Sequence, residues 1–251
     1  MSAGEVAGVV VTGGTGGIGR ATVERYAEAG VDVVFSFHED REQADAIVTA
    51  STGDAGAVTG HRLDVTDEAS VRAFARTATE TLPSVDGVVH TVGIVEPALL
   101  EDSTEAQVTR VVDTNLTGTF RVARAFLPAL RSAAGALVVL SSVGGTAGTV
   151  DASYAASKAG LHGFVRAVAR EEGPEGVRVN ALAPGPVDTS MNDVILTHLE
   201  ATEFRGHENV DTHLPEYSCS PAEVARSIAY LVDSQFTHGE VHSLNGGMHF
   251  R

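Results

Sequence analysis

Strand-like and helix-like segments alternate along the whole chain, and this alternation restricts the fold more than any other feature of the sequence. Short apolar, β-branched runs are typical of strands that are buried on both faces of a sheet. The predicted strands are Val6–Val11, Val31–Phe37, Ala57–Leu63, Gly87–Thr91, Ala136–Leu140, Val177–Leu182 and Glu240–Leu244. Because strands separated by helices pair in parallel through crossover connections, the pattern favours an α/β fold with a parallel sheet.

The segments between these strands predict helices on both faces of the sheet. The predicted helices are Gly17–Ala29, Arg41–Ala50, Asp67–Thr81, Thr104–Leu130, Ser153–Glu172 and Pro221–Val232. Asp67 is expected to cap its helix, and Pro221 stands in a first helical turn, where proline is tolerated. The sequence therefore predicts one Rossmann-type domain over residues 1–251, built on a doubly wound parallel sheet of about seven strands.

Charge and cysteine content exclude several classes of function. The formal net charge is -16 at pH 7, and such a surface repels nucleic-acid phosphates and anionic lipids. The one cysteine, Cys219, permits neither an internal disulfide nor a cysteine-based metal site. Neither a signal peptide over Met1–Gly8 nor an apolar run of ~20 residues is recognised. We therefore expect a cytoplasmic protein with no nucleic-acid, membrane or metal partner.

A glycine-rich loop, Gly13-Gly14-Thr15-Gly16-Gly17-Ile18-Gly19, joins the first predicted strand to the first predicted helix. Gly13 is expected to allow a tight turn, Gly17 to let the backbone approach a pyrophosphate, and Gly19 to let helix and strand pack closely. Free N–H groups at the start of the helix favour a bound phosphate. The loop therefore predicts a dinucleotide site, with a plain glycine-rich turn as the alternative.

Tyr154 and Lys158 lie four residues apart in a predicted helix and so share one of its faces. A free tyrosine has a pKa of about 10 and transfers protons poorly at neutral pH. A nearby ammonium group favours the phenolate, so Lys158 is expected to lower the pKa of Tyr154 toward the range useful for acid–base catalysis. The alternative is chance packing of two surface side chains.

Polar residues at two other positions complete a candidate catalytic group. Ser142, with Ser141 as its rival, ends the fifth predicted strand, at the edge of the sheet where ligands bind. Asn115 lies inside the predicted helix Thr104–Leu130, although its amide competes there with the backbone hydrogen bonds. An asparagine at such a position indicates a role other than helix formation.

The Gly13-x3-Gly17-x-Gly19 spacing and the Tyr154-Ala155-Ala156-Ser157-Lys158 run resemble motifs of the short-chain dehydrogenase/reductase family, and the resemblance extends over nearly the whole chain. It implies that Tyr154 is the acid/base and that Lys158 tunes its pKa and binds the ribose. It also implies that Ser142 positions the substrate carbonyl. Asn115 would bend its helix and hold a water molecule that links Lys158 to solvent.

The same resemblance implies a set of cofactor-binding residues. Asp64 would contact the adenine, and Val187 and Thr189 would lie near the nicotinamide. The full set is Gly13, Thr15, Gly17, Ile18, Gly19, His38, Asp64, Val65, Gly93, Tyr154, Lys158, Pro184, Gly185, Val187 and Thr189. Asn245-Gly246-Gly247 resembles the closing glycine turn of the family.

Two positions depart from the family pattern. His90-Thr91-Val92-Gly93 stands where the family has Asn-Asn-Ala-Gly, so Thr91 replaces only part of the asparagine hydrogen bonding. His90 is expected to be a core histidine with its hydrogen bonds satisfied, or else to line the cofactor site. At the end of the second predicted strand, Phe37 replaces the acid that NAD-selective relatives carry.

The missing acid favours NADP, with NAD as the alternative. The candidates for binding the 2′-phosphate of NADP are His38, Arg20 or Arg41. The neighbouring acids Glu39 and Asp40 favour NAD instead.

Asp188–Ser220 has no clear periodicity, so it is predicted to be a substrate lid or to contain short helices. The spacing of its histidines, His198, His207 and His213, does not favour a metal site.

The predicted function is that of a ketoreductase-like, NADP-dependent oxidoreductase. It would transfer a hydride between the nicotinamide and a small-molecule carbonyl or alcohol. The alternatives are a non-catalytic NAD(P)-binding regulator or scaffold, and an epimerase or dehydratase. The resemblance also implies a homodimer or homotetramer, formed through the helices that begin near Thr104 and Ser153.

Overall fold

The computed structural model describes residues 6–53, 55–148, 151–201 and 212–249. Its strands are β1 (Gly8–Thr12), β2 (Asp32–Phe37), β3 (Val58–Arg62), β4 (Gly87–His90), β5 (Ala136–Leu140), β6 (Arg178–Pro184) and β7 (Val241–Leu244). They form one parallel seven-stranded sheet in the order β3-β2-β1-β4-β5-β6-β7. The predicted α/β Rossmann fold is confirmed.

Helices cover both faces of this sheet. They are α1 (Gly17–Glu28), α2 (Arg41–Ala50), α3 (Glu68–Thr81), α4 (Glu105–Val112), α5 (Gly118–Ala133), α6 (Gly144–Ala147), α7 (Ala152–Glu172), α8 (Ser190–Ala201) and α9 (Pro221–Asp233), with a 3-10 turn over Gly173–Glu175. Asp67 caps α3, as predicted, by accepting a hydrogen bond from the Ala69 N–H at 2.9 Å. None of the helices in the described ranges is long and apolar enough to cross a membrane.

The core has two layers because successive side chains of a strand point to opposite faces of the sheet. Val10 and Val88, paired across β1 and β4, pack on the face that carries α3, α5 and α7. Their neighbours Val9 and Val89 pack on the other face, against α1, α2 and α9. Burial on both faces is the reason that these strands read as continuous apolar runs.

The strand order reverses at β1, since β2 and β3 lie on one side of it and β4 to β7 on the other. Crossovers from β1 and β4 therefore leave in opposite directions, and a crevice opens at the carboxyl ends of these two strands. The glycine loop follows β1 and Thr91 follows β4, so both lie at this crevice.

The predicted helix Thr104–Leu130 is wrong in one respect, because it is interrupted. A π-helical turn over Asp113–Thr117 separates α4 from α5. The Asn115 side chain exchanges two hydrogen bonds with the backbone of Ile94, which lies outside the helix. One extra residue in the turn accommodates this contact, and π-helical turns of this kind are frequent at functional sites.

We expect Phe126→Ala to lower the free energy of unfolding by about 3–5 kcal/mol, because Phe126 is fully buried and its loss leaves a cavity against Phe74. The measurement is denaturant unfolding followed by circular dichroism. Phe236→Ala is the matched control, since Phe236 is 100% exposed, and its effect should stay within about 0.5 kcal/mol. Equal effects of the two substitutions would contradict the placement of the core.

Candidate active site

The glycine loop is tied to the neighbouring strand. The Gly13 N–H donates to Ser36 Oγ at 3.0 Å, and the Gly14 N–H donates to the Ser36 carbonyl at 2.7 Å. Gly13 has φ +78, which favours glycine, and a Cβ on Gly19 would lie 2.1 Å from the Gly13 carbonyl oxygen. The loop therefore cannot hold larger residues at these two positions without moving.

The start of α1 is suited to an anion. Its N-cap residue is Gly16, which has no side chain to cap the first N–H groups, and no acidic residue stands in the first turn. The N–H groups and the positive end of the helix dipole therefore face the crevice without a competing carboxylate. A Cβ on Gly17 would lie 2.7 Å from Cγ2 of Thr189, so this glycine also lets the segment after β6 approach the loop.

A cavity of about 570 Å³ opens at the loop and fits a dinucleotide in size. The predicted cofactor residues that line it are Gly13, Thr15, Gly17, Ile18, Gly19, His38, Asp64, Val65, Gly93 and Thr189. The predicted residues Tyr154, Lys158, Pro184, Gly185 and Val187 are not among the described residues that line it. The small glycines and the helix start make the residues present a good fit for a bound dinucleotide.

Several lining residues lie outside the predicted cofactor-binding set, among them Ser36, Phe37, Thr66, Thr114, Ser190 and Met191. Ser36 and Phe37 end β2, and the carboxyl ends of neighbouring parallel strands meet at one edge of a sheet. Strand position was therefore the signal that could have identified these two residues.

At one end of the cavity, Asp64 is held by its neighbours. Its Oδ1 accepts hydrogen bonds from the Thr66 N–H at 2.9 Å and the Thr66 hydroxyl at 2.6 Å. Its Oδ2 lies 3.6 Å from Nε2 of His38, which is about half-exposed. The Thr66 hydroxyl is the largest influence on the pKa of Asp64 and lowers it. Asp64 is thus a fixed, ionised acceptor beside a histidine.

Tyr154 and Lys158 share one face of α7, as predicted. Lys158 Nζ lies 5.7 Å from the centre of the Tyr154 ring and donates to the Leu140 carbonyl at 2.8 Å. A Cβ on Gly93 would lie 3.1 Å from this Nζ, so the missing side chain leaves room for the ammonium group next to the cavity wall. Burial lowers the pKa of Lys158 to about 8.

The pKa of Tyr154 differs from the sequence-based expectation. Burial is the largest influence and raises the pKa, the hydrogen bond with Ser142 lowers it, and the charge of Asp151 raises it. Lys158 was expected to lower the pKa of Tyr154. The net shift is upward because removal of the phenolate from water outweighs the favourable contacts.

The two candidate serines are consecutive residues that follow β5, and their hydroxyl groups contact different neighbours. Ser142 contacts the phenol of Tyr154 and accepts a hydrogen bond from the Gly144 N–H at 3.0 Å. Ser141 is buried on the other side, where its hydroxyl donates to the Lys158 carbonyl at 3.1 Å and contacts Nε2 of His162 at 2.8 Å. Ser142 is therefore the serine that lies beside Tyr154.

Asn115 connects the π-helical turn to two walls of the site. Its Nδ2 donates to the Ile94 carbonyl at 2.9 Å and to Ser157 Oγ at 3.1 Å, and its Oδ1 accepts from the Ile94 N–H at 2.8 Å. Ser157 in turn donates to the Tyr154 carbonyl at 2.8 Å. Asn115 thus links the segment after β4 to the helix that carries Tyr154.

The His90–Thr91 pair replaces the family's asparagines by a different set of contacts. Nδ1 of His90 lies 2.7 Å from the Thr12 hydroxyl, and the Thr91 hydroxyl donates to the Thr12 carbonyl at 2.7 Å. His90 is buried, and within the described residues its Nε2 has no hydrogen-bond partner. The expectation of a fully satisfied core histidine therefore holds for only one of its ring nitrogens, and His90 does not line the cavity.

The predicted lid begins as a helix. Val187 and Cys219 form a short bridge, in which the Asp188 N–H donates to the Cys219 carbonyl and the Cys219 N–H donates to the Pro186 carbonyl, both at 3.0 Å. Between them, α8 places Ser190 and Met191 at the cavity.

Among the lid histidines, His207 lies outside the described residues. His198 and His213 belong to no group of three metal-ligating side chains in the part of the chain that the structure describes.

Comparisons with known proteins agree with this arrangement. A family model described as "Enoyl-(Acyl carrier protein) reductase" matches residues 13–249. The chain is 32% identical over 248 residues to 3-oxoacyl-(acyl-carrier-protein) reductase FabG of Staphylococcus aureus (strain Mu50), covering 96% of this chain and 97% of the relative. It is 33% identical to the FabG of Vibrio cholerae serotype O1, with 96% of both chains covered.

Solved structures show the same likeness over the full fold. The chain is similar to levodione reductase with a TM-score of 0.87 and 32% identity, covering 96% of each chain. A dehydrogenase/reductase from Sinorhizobium meliloti 1021 gives a TM-score of 0.86 at 27% identity, covering 99% of this chain and 98% of the other.

We expect His90 to make the protein sensitive to acid. Burial is the main cause that lowers its pKa from 6.5 to about 3. Below about pH 6.5 the unfolded chain therefore binds a proton that the folded chain does not bind until about pH 3. The stability that is present above that window is lost as the pH falls through it, by roughly 1.4 kcal/mol per pH unit.

The measurement is urea unfolding of the parent and of His90→Asn at about pH 7.5 and about pH 5.5. Over this interval the parent should lose about 1 kcal/mol more than the variant, whose asparagine cannot titrate. Equal losses in both proteins would show that His90 is accessible to protons in the folded state.

Proposed function

Since this chain belongs to the short-chain dehydrogenase/reductase family and is an NAD(P)-dependent oxidoreductase, we propose that it is an NADP-dependent ketoreductase with Tyr154 as its acid/base. The observation that carries the proposal is the position of the Tyr154 phenol between Ser142 and Lys158, whose ammonium group lies against Gly93 and Leu140 of the cavity lining. The relatives named 3-oxoacyl-(acyl-carrier-protein) reductase and levodione reductase support a ketone as the substrate class.

In this proposal the side chains handle the proton and the oxygen of the substrate. When bound, a nicotinamide would supply the hydride to the carbonyl carbon, or accept it in the reverse direction. Ser142 donates a hydrogen bond to the carbonyl oxygen, and Tyr154 gives that oxygen its proton during reduction. The same two groups act in reverse when an alcohol is oxidised.

Lys158 stabilises the phenolate that remains after the proton leaves. Its pKa of about 8 keeps most of the ammonium groups charged at neutral pH, and the ammonium group is held in place by its hydrogen bond to the Leu140 carbonyl. A buried cation beside a developing anion acts strongly because little water screens it. Asn115, which is joined to Ile94 and Ser157, supports this arrangement, and its role in holding a water molecule stays a prediction.

The preference for NADP rests on the residues that end β2. No acid stands at Phe37, and His38 lines the cavity there. Arg20 is paired with Glu24, and Arg41 lies 3.8 Å from Asp45, with neither arginine among the lining residues. Of the three basic candidates, His38 is therefore the one that we assign to the 2′-phosphate.

We also propose a homodimer or homotetramer formed through α5 and α7. Phe120 on α5 is 52% exposed and packs edge-on against Phe164 of α7, with the two ring centres 4.6 Å apart. Added atoms at Gly163 of α7 would meet open space. Aromatic residues are enriched in protein–protein interfaces, so the exposed ring of Phe120 supports this pair of helices as the contact surface. The cytoplasmic location expected from the sequence stays a prediction.

We expect Tyr154→Phe to lower the turnover of a ketone panel at least about 100-fold, because the variant lacks the transferable proton. Steady-state oxidation of the reduced cofactor is the measurement, and cofactor binding followed by fluorescence should be little changed. The control is Tyr230→Phe, since Tyr230 is half-exposed on α9, and its turnover should match the parent. Full activity of Tyr154→Phe would refute the assignment of the acid/base.

We expect NADPH to give a higher kcat/KM than NADH with the same ketone. His38→Ala should raise the KM for NADPH roughly tenfold and leave that for NADH unchanged, because only NADPH carries the 2′-phosphate that the imidazole is proposed to bind. Arg41→Ala should leave both values unchanged. A preference of the parent for NADH, or a loss confined to Arg41→Ala, would contradict the proposed cofactor site.

A further inference from the structure

One buried carboxylate next to the catalytic group has no part in the mechanism so far. Asp151 is 3% exposed and caps the start of α7, three residues before Tyr154. Its Oδ1 accepts hydrogen bonds from the Ser153 hydroxyl at 2.6 Å and from the Tyr154 N–H at 3.0 Å. Asp151 therefore fixes the first turn of the helix that carries the phenol.

The second oxygen of Asp151 contacts a different wall of the site. Its Oδ2 accepts a hydrogen bond from the Glu96 N–H at 3.3 Å. This places Asp151 against the segment 94–96, which follows β4 and is tied to Asn115 through Ile94. A single carboxylate thus joins the start of α7 to the segment after the central strand.

Two other acids on neighbouring elements are each paired with an arginine. Glu96 accepts two hydrogen bonds from Arg110 of α4, at 2.8 and 2.6 Å. On the π-helical turn, Asp113 lies 2.9 Å from Arg121. Within the described residues Asp151 forms no such ion pair, so its charge is not offset by an arginine.

The charged groups around this point are Lys158, on the same face of α7 as Tyr154, and the ion pair of Glu96 with Arg110, whose segment Asp151 contacts. The charge of Asp151 therefore acts on the phenol together with that of Lys158 and in the opposite sense. This is the direction in which Asp151 moves the pKa of Tyr154, upward.

We propose that Asp151 is a positioning residue for proton transfer: its carboxylate fastens the start of α7 to the segment 94–96 and places a fixed negative charge beside Tyr154. The proposal rests on the proposed role of Tyr154 as the acid/base. In that role, Asp151 keeps the phenol protonated to a higher pH and so extends the pH range over which a carbonyl is reduced.

The test is the pH dependence of Asp151→Asn, which keeps the side-chain shape and one acceptor oxygen but removes the charge. In ketone reduction, activity falls as Tyr154 loses its proton at high pH, and in alcohol oxidation it rises over the same range. Without the charge the phenol loses its proton more readily, so both limbs should move to lower pH by about half a unit or more.

A matched control separates this effect from that of helix capping. Asp67 caps α3 in the same way and does not line the cavity, so Asp67→Asn removes a capping charge away from the phenol. Its pH profile should coincide with that of the parent. If Asp151→Asn lowers thermal stability but leaves the pH profile in place, Asp151 is only a helix cap and the proposal is wrong.

A second measurement does not depend on turnover. Asparagine has one acceptor oxygen, so in Asp151→Asn the Glu96 amide should lose its partner and exchange hydrogen for deuterium at least about tenfold faster, while peptides of the sheet are unchanged. Unchanged exchange at Glu96 would overturn the positioning role. If the parent reduces no carbonyl, the proposed function fails by itself, and the exchange rate at Glu96 still decides whether Asp151 fastens the two walls.

Discussion

The reversal of strand order between β1 and β4 is the constraint on which the site depends. On the two sides of this point the helices leave the sheet in opposite directions, so the carboxyl ends of the strands stay uncovered there. The glycine loop after β1, the Thr91–Gly93 turn after β4 and Ser142 after β5 all face this edge. Because a parallel sheet places every strand end on the same side, residues far apart in sequence form one site without any long connection.

The catalytic group is polar and yet buried, and the structure balances this with specific contacts. The Lys158 ammonium group donates a hydrogen bond to the Leu140 carbonyl, and the Asn115 amide forms two hydrogen bonds with the backbone of Ile94. Buried polar groups without partners are costly, so these hydrogen bonds hold the side chains in single positions. The resulting rigidity is useful for catalysis, because groups that are fixed in advance need not reorganise during the reaction.

Much of the fold could be predicted from the sequence, since central strands such as β1 and β5 are nearly continuous apolar runs and helices such as α3 and α9 begin at recognisable caps. The low helix propensity of asparagine also indicated that Asn115 has a role other than helix formation. The π-helical turn could not be predicted, because it depends on a contact with Ile94 that only the folded chain creates. The upward shift in the pKa of Tyr154 was missed for a similar reason: spacing reveals a neighbouring lysine but not the depth of burial.

The bridge between Val187 and Cys219 brings the two ends of the segment that contains α8 together beside β6. Loop-closure entropy grows only slowly with loop length, so a segment whose ends are already clasped can be lengthened, shortened or rewritten at small thermodynamic cost. The bridge itself is held by backbone hydrogen bonds, which do not depend on side-chain identity. Sequence changes within the segment therefore alter the part of the cavity lining that Ser190 and Met191 form, while the parallel sheet that carries the segment keeps its register.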